Sequence, residues 1–201
     1  MCLLLSCRKP VLRGKADGQY VENAGKTGMT VEEADRLYPD DRIEVIDGEV
    51  FMTAAPPVRH QEMKESVKAT FNRFFKDKTC KPYMEIGVRL DKEKRVIPDV
   101  LVVCNPDKVD DKGVNGSPDL VVEVLSLGTK NYDMGKKQIL YKESGVSEYW
   151  VIDPDRGTGV IWVWDKEKVE AGVDEVAIVA GRIESVIFPG LIVDISRTEN
   201  L

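Results

Sequence analysis

Two short and almost wholly apolar runs each carry one acid, and this limits what the chain can become. Val100-Leu101-Val102-Val103 follows Pro98-Asp99, while Leu120-Val121-Val122-Glu123-Val124-Leu125 holds its acid inside the run. Runs without polar alternation read as strands buried on both faces of a sheet. A carboxylate is costly to bury there unless a cation, a hydrogen-bond network or a metal ion meets it. A side-chain period of two puts Asp99 on a face with Leu101 and Val103, and Glu123 on a face with Val121 and Leu125. If the strands pair, the two carboxylates can converge. Hard oxygen donors of this kind suit Mg²⁺ or Mn²⁺, which polarise a phosphate and activate water. The pattern points to a divalent-metal site for phosphodiester hydrolysis.

The segment after Glu123 adds a cation. Asp133, Lys137 and Tyr141 recur every four residues and share one face of the helix expected from about Tyr132 to Ser144. Lys137 can orient a water or steady negative charge on a phosphate. Asp133, one turn away, offers it a plain ion pair instead.

Elsewhere the pattern is that of one mixed α/β domain over residues 29–201, preceded by a glycine-bearing extension, residues 1–28, with little periodicity and no core face. Thr30-Val31-Glu32-Glu33 fits a capping box and predicts a helix over Val31–Leu37, stopped by Pro39. Asp47-Gly48 between two apolar runs predicts a hairpin. Apolar residues at Met63, Val67, Phe71, Phe74 and Phe75 predict a helix from Arg59 to about Lys78, with His60 at its start. Strands are expected at Tyr83–Leu90, Val96–Val103, Leu120–Leu125, Tyr149–Ile152 and Val160–Trp164.

The formal charge of −6 runs against a dedicated nucleic-acid binder, whose affinity rests on basic groups neutralising phosphates. It does not exclude a local basic patch. No stretch approaches a membrane span, and Met1-Cys2-Leu3-Leu4-Leu5 lacks the basic start of a secretory signal. The four cysteines (Cys2, Cys7, Cys80 and Cys104) form no CxxC pair, so neither a zinc site nor a disulfide framework is expected. A reduced, cytoplasmic setting is the default.

An ordered set of short strings now carries a resemblance. Ile43-Glu44-Val45-Ile46-Asp47-Gly48-Glu49, His60, Pro98-Asp99, Pro118 to Ser126, Asp133 with Lys137 and Tyr141, Gly145-Val146 and Glu148 to Pro154 occur in that order. Together they resemble the Uma-type putative restriction endonucleases of the PD-(D/E)XK nuclease-like superfamily. The resemblance implies a restriction-endonuclease-like core, a central mixed β-sheet flanked by helices, with Asp99 and Glu123 as metal ligands and the Val124 carbonyl as a further one. It also implies a metal-dependent nuclease acting on nucleic acid, with DNA the expected substrate, as a homodimer. Where the superfamily's short motif has lysine, two residues after the second acid, this chain has Leu125. The resemblance points to Lys137 as the migrated lysine, and to Glu44, Glu49 and His60 as groups that complete or orient the metal shell.

Blander readings stand beside these. Asp99 can be a turn acid bonded to backbone, and Glu123 with Lys137 can be a structural ion pair. His60 can be a satisfied helix-start residue, and Glu44 and Glu49 can be solvent-facing groups flanking a turn. At the level of function, the rival is a nucleic-acid-binding or assembly module that no longer cuts. RNA or a branched duplex is a second rival substrate.

Overall fold

The chain is described by a computed structural model over residues 21–22, 28–39, 42–52, 56–126, 133–172 and 175–197. Its first strand, β1 (Val21–Glu22), pairs antiparallel with Met52 and Phe51. Thr30 then starts α1 (Val31–Leu37). The Thr30 hydroxyl accepts from the Glu33 amide at 3.2 Å, and Glu33 Oε2 accepts from the Thr30 amide at 2.9 Å. Two backbone donors of the helix start are thereby satisfied, as the capping box requires. The expected hairpin joins β2 (Ile43–Ile46) to β3 (Glu49–Met52). Asp47 (φ 51°) and Gly48 (φ 76°) are both left-handed, the turn geometry that matches strand twist. A Cβ on Gly48 would stand 2.4 Å from the Gly28 nitrogen, so only glycine fits there.

Next, α2 (Val58–Phe74) buries His60, Met63, Lys64, Val67 and Phe71 along one face. Two strands expected from apolar runs are each split. Tyr83–Leu90 becomes β4 (Lys81–Met84) and β5 (Val88–Arg89), parted near Glu85 at φ 54°. Val96–Val103 becomes β6 (Arg95–Val96) and β7 (Val100–Val103), parted at Pro98, which has no amide to donate. Each break carries the chain between sheets, because β5 and β6 belong to a seven-stranded sheet and β4 and β7 to a six-stranded one.

β8 (Val109–Asp110) and β9 (Gly113–Asn115) complete the seven-stranded sheet, ordered β1-β3-β2-β6-β5-β9-β8. β10 (Leu120–Val124) then leads to a π-helical turn over Asp133–Lys137 and α3 (Gln138–Ser144). Gly145 ends α3 at φ 88°, as the sequence anticipates. β11 (Glu148–Asp153) returns parallel to β10, which only a crossover of this length permits. β12 (Thr158–Val163), α4 (Lys166–Glu170) and β13 (Val176–Ala180) follow, then a hairpin of β14 (Arg182–Glu184) and β15 (Ile192–Asp194). The six-stranded sheet runs β13-β12-β11-β10-β7-β4.

Three apolar clusters hold the layers. One face of the six-stranded sheet, with Val122, Trp150 and Ile152, packs on Met63, Val67 and Phe71 of α2 and on Val193. Its other face, with Leu101, Val121 and Tyr149, meets Ile46, Phe51, Val88 and Val114 of the second sheet and Leu140 and Tyr141 of α3. α1 covers the outside of the second sheet through Val31 and Ala34 against Ile43 and Val45. The core sheet is thus mixed and helix-flanked, as expected, with a second sheet as its chief cover on one side.

One expectation is corrected. Cys80 and Cys104 form a disulfide, although the spacing gives no disulfide framework. The cause is register: Lys81 pairs with Val103 across β4 and β7, so the next positions out bring the two thiols together. Cys2 and Cys7 lie outside the described residues, as does most of the 1–28 extension.

Candidate active site

Register brings the two acids together. β7 and β10 pair antiparallel with Val100 opposite Val122, which places Asp99 opposite Glu123 one step further along. Every residue of both strands is buried, so the acids sit where water does not solvate them freely. Glu123 is 4 % exposed. Its Oε1 accepts from Lys137 Nζ at 2.9 Å and from the Tyr141 hydroxyl at 2.8 Å. The expected helical face therefore exists in part: Lys137, at the end of the π-helical turn, and Tyr141, one turn on, reach the same oxygen. The side chain of Asp133 lies outside the described residues.

The second sheet contributes Glu44. It is fully buried on β2, its Oε1 lying 3.0 Å from Lys137 Nζ and 2.8 Å from the donating Ile97 amide. Its Oε2 is buried without a hydrogen-bond partner among the described residues. One ammonium, itself 1 % exposed, thus bridges a carboxylate from each sheet.

Asp99 is held from two other directions. Its Oδ2 accepts from the Val124 amide at 2.8 Å and lies 3.1 Å from His60 Nε2 at the start of α2. Burial works against the Asp99 charge, but the His60 contact, the Val124 amide and the Lys137 ammonium outweigh it and hold the carboxyl below its ordinary range. The Tyr141 phenol moves the opposite way, pushed well up by burial and then by the Glu123 charge. It stays protonated at neutral pH and serves Glu123 as a donor.

Of the expected residues, Asp99, Glu123, Lys137, Glu44 and His60 meet in one buried cluster. Glu49 does not join it. Its partner is Lys136 at 3.5 Å, at the solvent-exposed margin of the hairpin. Two further buried charges escaped the sequence reading. Lys64, fully buried one turn after His60, pairs at 3.0 Å with Glu85, which also binds Arg42 at 2.7 Å. The i,i+4 spacing from His60 is the signal that could have revealed it. Glu148 is buried on the opposite face of the core sheet, accepting from Trp150 Nε1, the Ser185 hydroxyl and the Ile187 amide at 2.6, 2.9 and 2.9 Å. It pins the 185–187 segment and takes no part in the cluster.

The carboxylates of the cluster are of the ligand type that a hard divalent cation takes. Among the described residues no group of three His, Cys, Asp or Glu side chains could hold a metal by itself. One or two carboxylates are nonetheless what Mg²⁺ ordinarily takes from a protein, with water and substrate phosphate filling the rest. The orphaned Glu44 Oε2 supplies one more oxygen that a positive charge would satisfy. Beside Asp99 and His60 opens a cleft of about 410 Å³, formed where α2 begins and where β10 and β11 end.

Comparison with known proteins adds two findings. A profile of the Uma2 family, described as putative restriction endonuclease, matches residues 31–195. The fold is similar to that of a putative nuclease belonging to DUF820 from Anabaena variabilis ATCC 29413, with a TM-score of 0.62 and 18% identity over 76% of this chain and 87% of that one. No curated protein matches. Among the described residues no helix is long and apolar enough to cross a membrane.

Proposed function

Because the chain belongs to the Uma2 family of putative restriction endonucleases, we propose that the buried cluster is the active site of a Mg²⁺- or Mn²⁺-dependent nuclease that hydrolyses phosphodiester bonds, with DNA as the expected substrate. The observation that carries this reading is Lys137, an ammonium 2.9 Å from Glu123 and 3.0 Å from Glu44 with Asp99 across the strand pair. Asp99, Glu123 and the Val124 carbonyl would hold the metal, which supplies charge neutralisation at the phosphate and a more acidic bound water. Lys137 steadies developing negative charge on the phosphate or orients the water. Glu44 and Tyr141 hold that ammonium and the Glu123 carboxylate in place, and His60 with the Val124 amide keeps Asp99 ionised. Glu49 has no part in the site on this reading.

The rival reading is a nucleic-acid-binding or assembly module that does not cut. Its support is that Lys137, Glu44 and Glu123 already satisfy one another, as a structural ion-pair network would. Titration of Mn²⁺ calorimetrically, with cleavage assays on supercoiled DNA, single-stranded DNA and RNA, separates the two. Asp99→Asn and Glu123→Gln are expected to lose both metal binding and cleavage. Metal-independent behaviour of all three proteins, with no cleavage, would leave the module. The homodimer belongs to the same reading: β13, at an edge of the core sheet, exposes Val176 and Ile178, and an open apolar edge strand favours pairing with a second copy.

A further inference from the structure

Asp99 is carried on backbone that is held from both sides. Residues 95–103 change sheets at Pro98, so a bend rather than a continuous ladder aims the acid that follows. On one side of the bend the Glu44 carboxylate accepts from the Ile97 amide at 2.8 Å, and Lys137 holds that carboxylate. On the other side, register places Glu85 opposite Asp99, one step beyond the Met84–Val100 pair. The Glu85 amide donates to the carbonyls of both Pro98 and Asp99, at 3.2 and 3.3 Å.

Glu85 makes these contacts from a left-handed backbone, φ 54°. Outside glycine such a conformation persists only where the surroundings fix it, and it gathers at functional sites. Here the fixing groups are cations on the Glu85 carboxylate, Lys64 Nζ at 3.0 Å and Arg42 at 2.7 Å. Lys64 is fully buried on α2, one turn on from His60, whose Nε2 lies 3.1 Å from Asp99. The helix is therefore tied to the bend at two points, the carboxylates of Asp99 and Glu85. Stability does not account for the lysine. Lys64 shares the buried face of α2 with Met63, Val67 and Phe71, and a buried ion pair often gains nothing over apolar residues of similar volume.

We propose that Lys64 is a positioning residue for Asp99. Its ion pair keeps Glu85 left-handed, and the Glu85 amide then fixes the Pro98 and Asp99 carbonyls. The Asp99 carboxylate is thereby held where it meets His60 and the metal. The inference rests on the nuclease reading, in which Asp99 is a metal ligand. It gives the site a second buried lysine, one that acts through backbone where Lys137 acts through its charge. Groups that orient metal ligands from behind typically change metal affinity or activity by about 10–100-fold when removed.

The test uses the untagged full chain, whose one histidine is His60. Its imidazole ¹H–¹⁵N correlation, recorded in EDTA at one fixed pH, reports the contact with Asp99 without metal. Wild type, Lys64→Met and Lys64→Met/Glu85→Gly are compared, and thermal melting checks that each is folded. The double variant strands no carboxylate, keeps the amide at position 85, and places there the residue that adopts φ 54° freely. Lys64→Met is expected to displace the His60 signal and, in calorimetry, to weaken Mn²⁺ binding about tenfold or more. Lys64→Met/Glu85→Gly should return both towards wild type. Where Lys64→Met proves unfolded, Lys64→Met/Glu85→Ala takes its place, with no stranded charge but neither the ion pair nor the freedom of glycine. A His60 signal or an Mn²⁺ affinity left unchanged by loss of the lysine would overturn the proposal and make Lys64 a structural ion pair. A defect that persists in full with Glu85→Gly would overturn it too, since the ammonium would then act by proximity and not through Glu85. A wild type that binds no Mn²⁺ counts against the nuclease reading alone, because the His60 signal still decides the role of Lys64.

Discussion

Replacing Lys137 by methionine removes the charge and keeps most of the volume. The ammonium is 1 % exposed and bridges Glu44, fully buried, with Glu123, 4 % exposed. Breaking a buried ion pair from one side costs about 3–5 kcal/mol, because the surviving charge stays desolvated. Here two carboxylates survive, and Glu44 Oε2 already lacks a hydrogen-bond partner, so the upper part of that range applies. With a urea dependence of about 2 kcal/mol per molar, the unfolding midpoint should fall by roughly 2 M. Since domains are typically stable by about 5–15 kcal/mol, the variant should still fold in buffer. The assay is equilibrium urea unfolding followed by tryptophan fluorescence, with Trp150 in the core as the reporter. A triple variant, Lys137→Met with Glu44→Gln and Glu123→Gln, removes the stranded charges together and should recover most of the loss. Saturating Mn²⁺ should stabilise Lys137→Met, by about 2.7 kcal/mol at a hundredfold excess over its dissociation constant, if those carboxylates accept a divalent cation. A single variant within about 1 kcal/mol of wild type, or a triple variant no better than the single, would refute the claim that this ammonium is desolvated and shared.

Three further outcomes follow from other parts of the molecule. Burial raises the Glu148 carboxyl above its ordinary value of 4.5, with the Ile187 amide, Trp150, Ser185 and the Val186 amide opposing the rise only in part. The folded state then holds this proton at pH values where the unfolded chain has lost it, so the contribution of Glu148 is full below about pH 4.5 and declines as pH rises through the folded value. Wild-type stability minus that of Glu148→Gln should accordingly fall as pH rises from about 4.5, and a flat difference in urea titrations would reject this account. The Cys80–Cys104 disulfide closes a separation of 24 residues, so Cys80→Ser/Cys104→Ser should lose about 3 kcal/mol in urea unfolding. Thiol titration of the denatured, unreduced wild type should find at most two free thiols of the four, and four would show the bond to be absent. In the proposed homodimer Ile178, 80 % exposed on β13, lies at the interface, so light scattering should find wild type dimeric and Ile178→Lys monomeric.

Local chemistry made part of this legible. The Thr30–Glu33 box, the Asp47-Gly48 turn and the Gly145 stop each act within a few residues, and each stands where the sequence indicates. Asp99 and Glu123 were visible because acids are out of place in apolar strands. What the sequence hid depends on distant partners. Pro98 breaks its strand so that Arg95 and Val96 can join one sheet while Val100 to Val103 join another, a division no periodicity reports. Cys80 and Cys104 meet only through the β4–β7 register. Glu44 and Glu49 look alike beside their turn, yet one faces the interface between sheets and the other pairs with Lys136 near solvent. Lys64 drew no reading from the sequence, because the fold alone brings its partner Glu85 beneath it.

The sharing of Lys137 between sheets has a consequence for assembly. Along β2, Ile43 and Val45 face α1 while Glu44 faces the core sheet. A slip of one residue in this strand would turn Glu44 outward and press an aliphatic side chain against the ammonium, since successive side chains alternate faces. The cluster therefore acts as a checkpoint on the pairing of the two sheets. Misregistered chains are penalised by a buried, unmatched charge before any substrate arrives. Substitutions at Glu44 or Lys137 should for the same reason lower the yield of correctly folded protein as well as its activity, and soluble yield and turnover per folded molecule have to be measured separately.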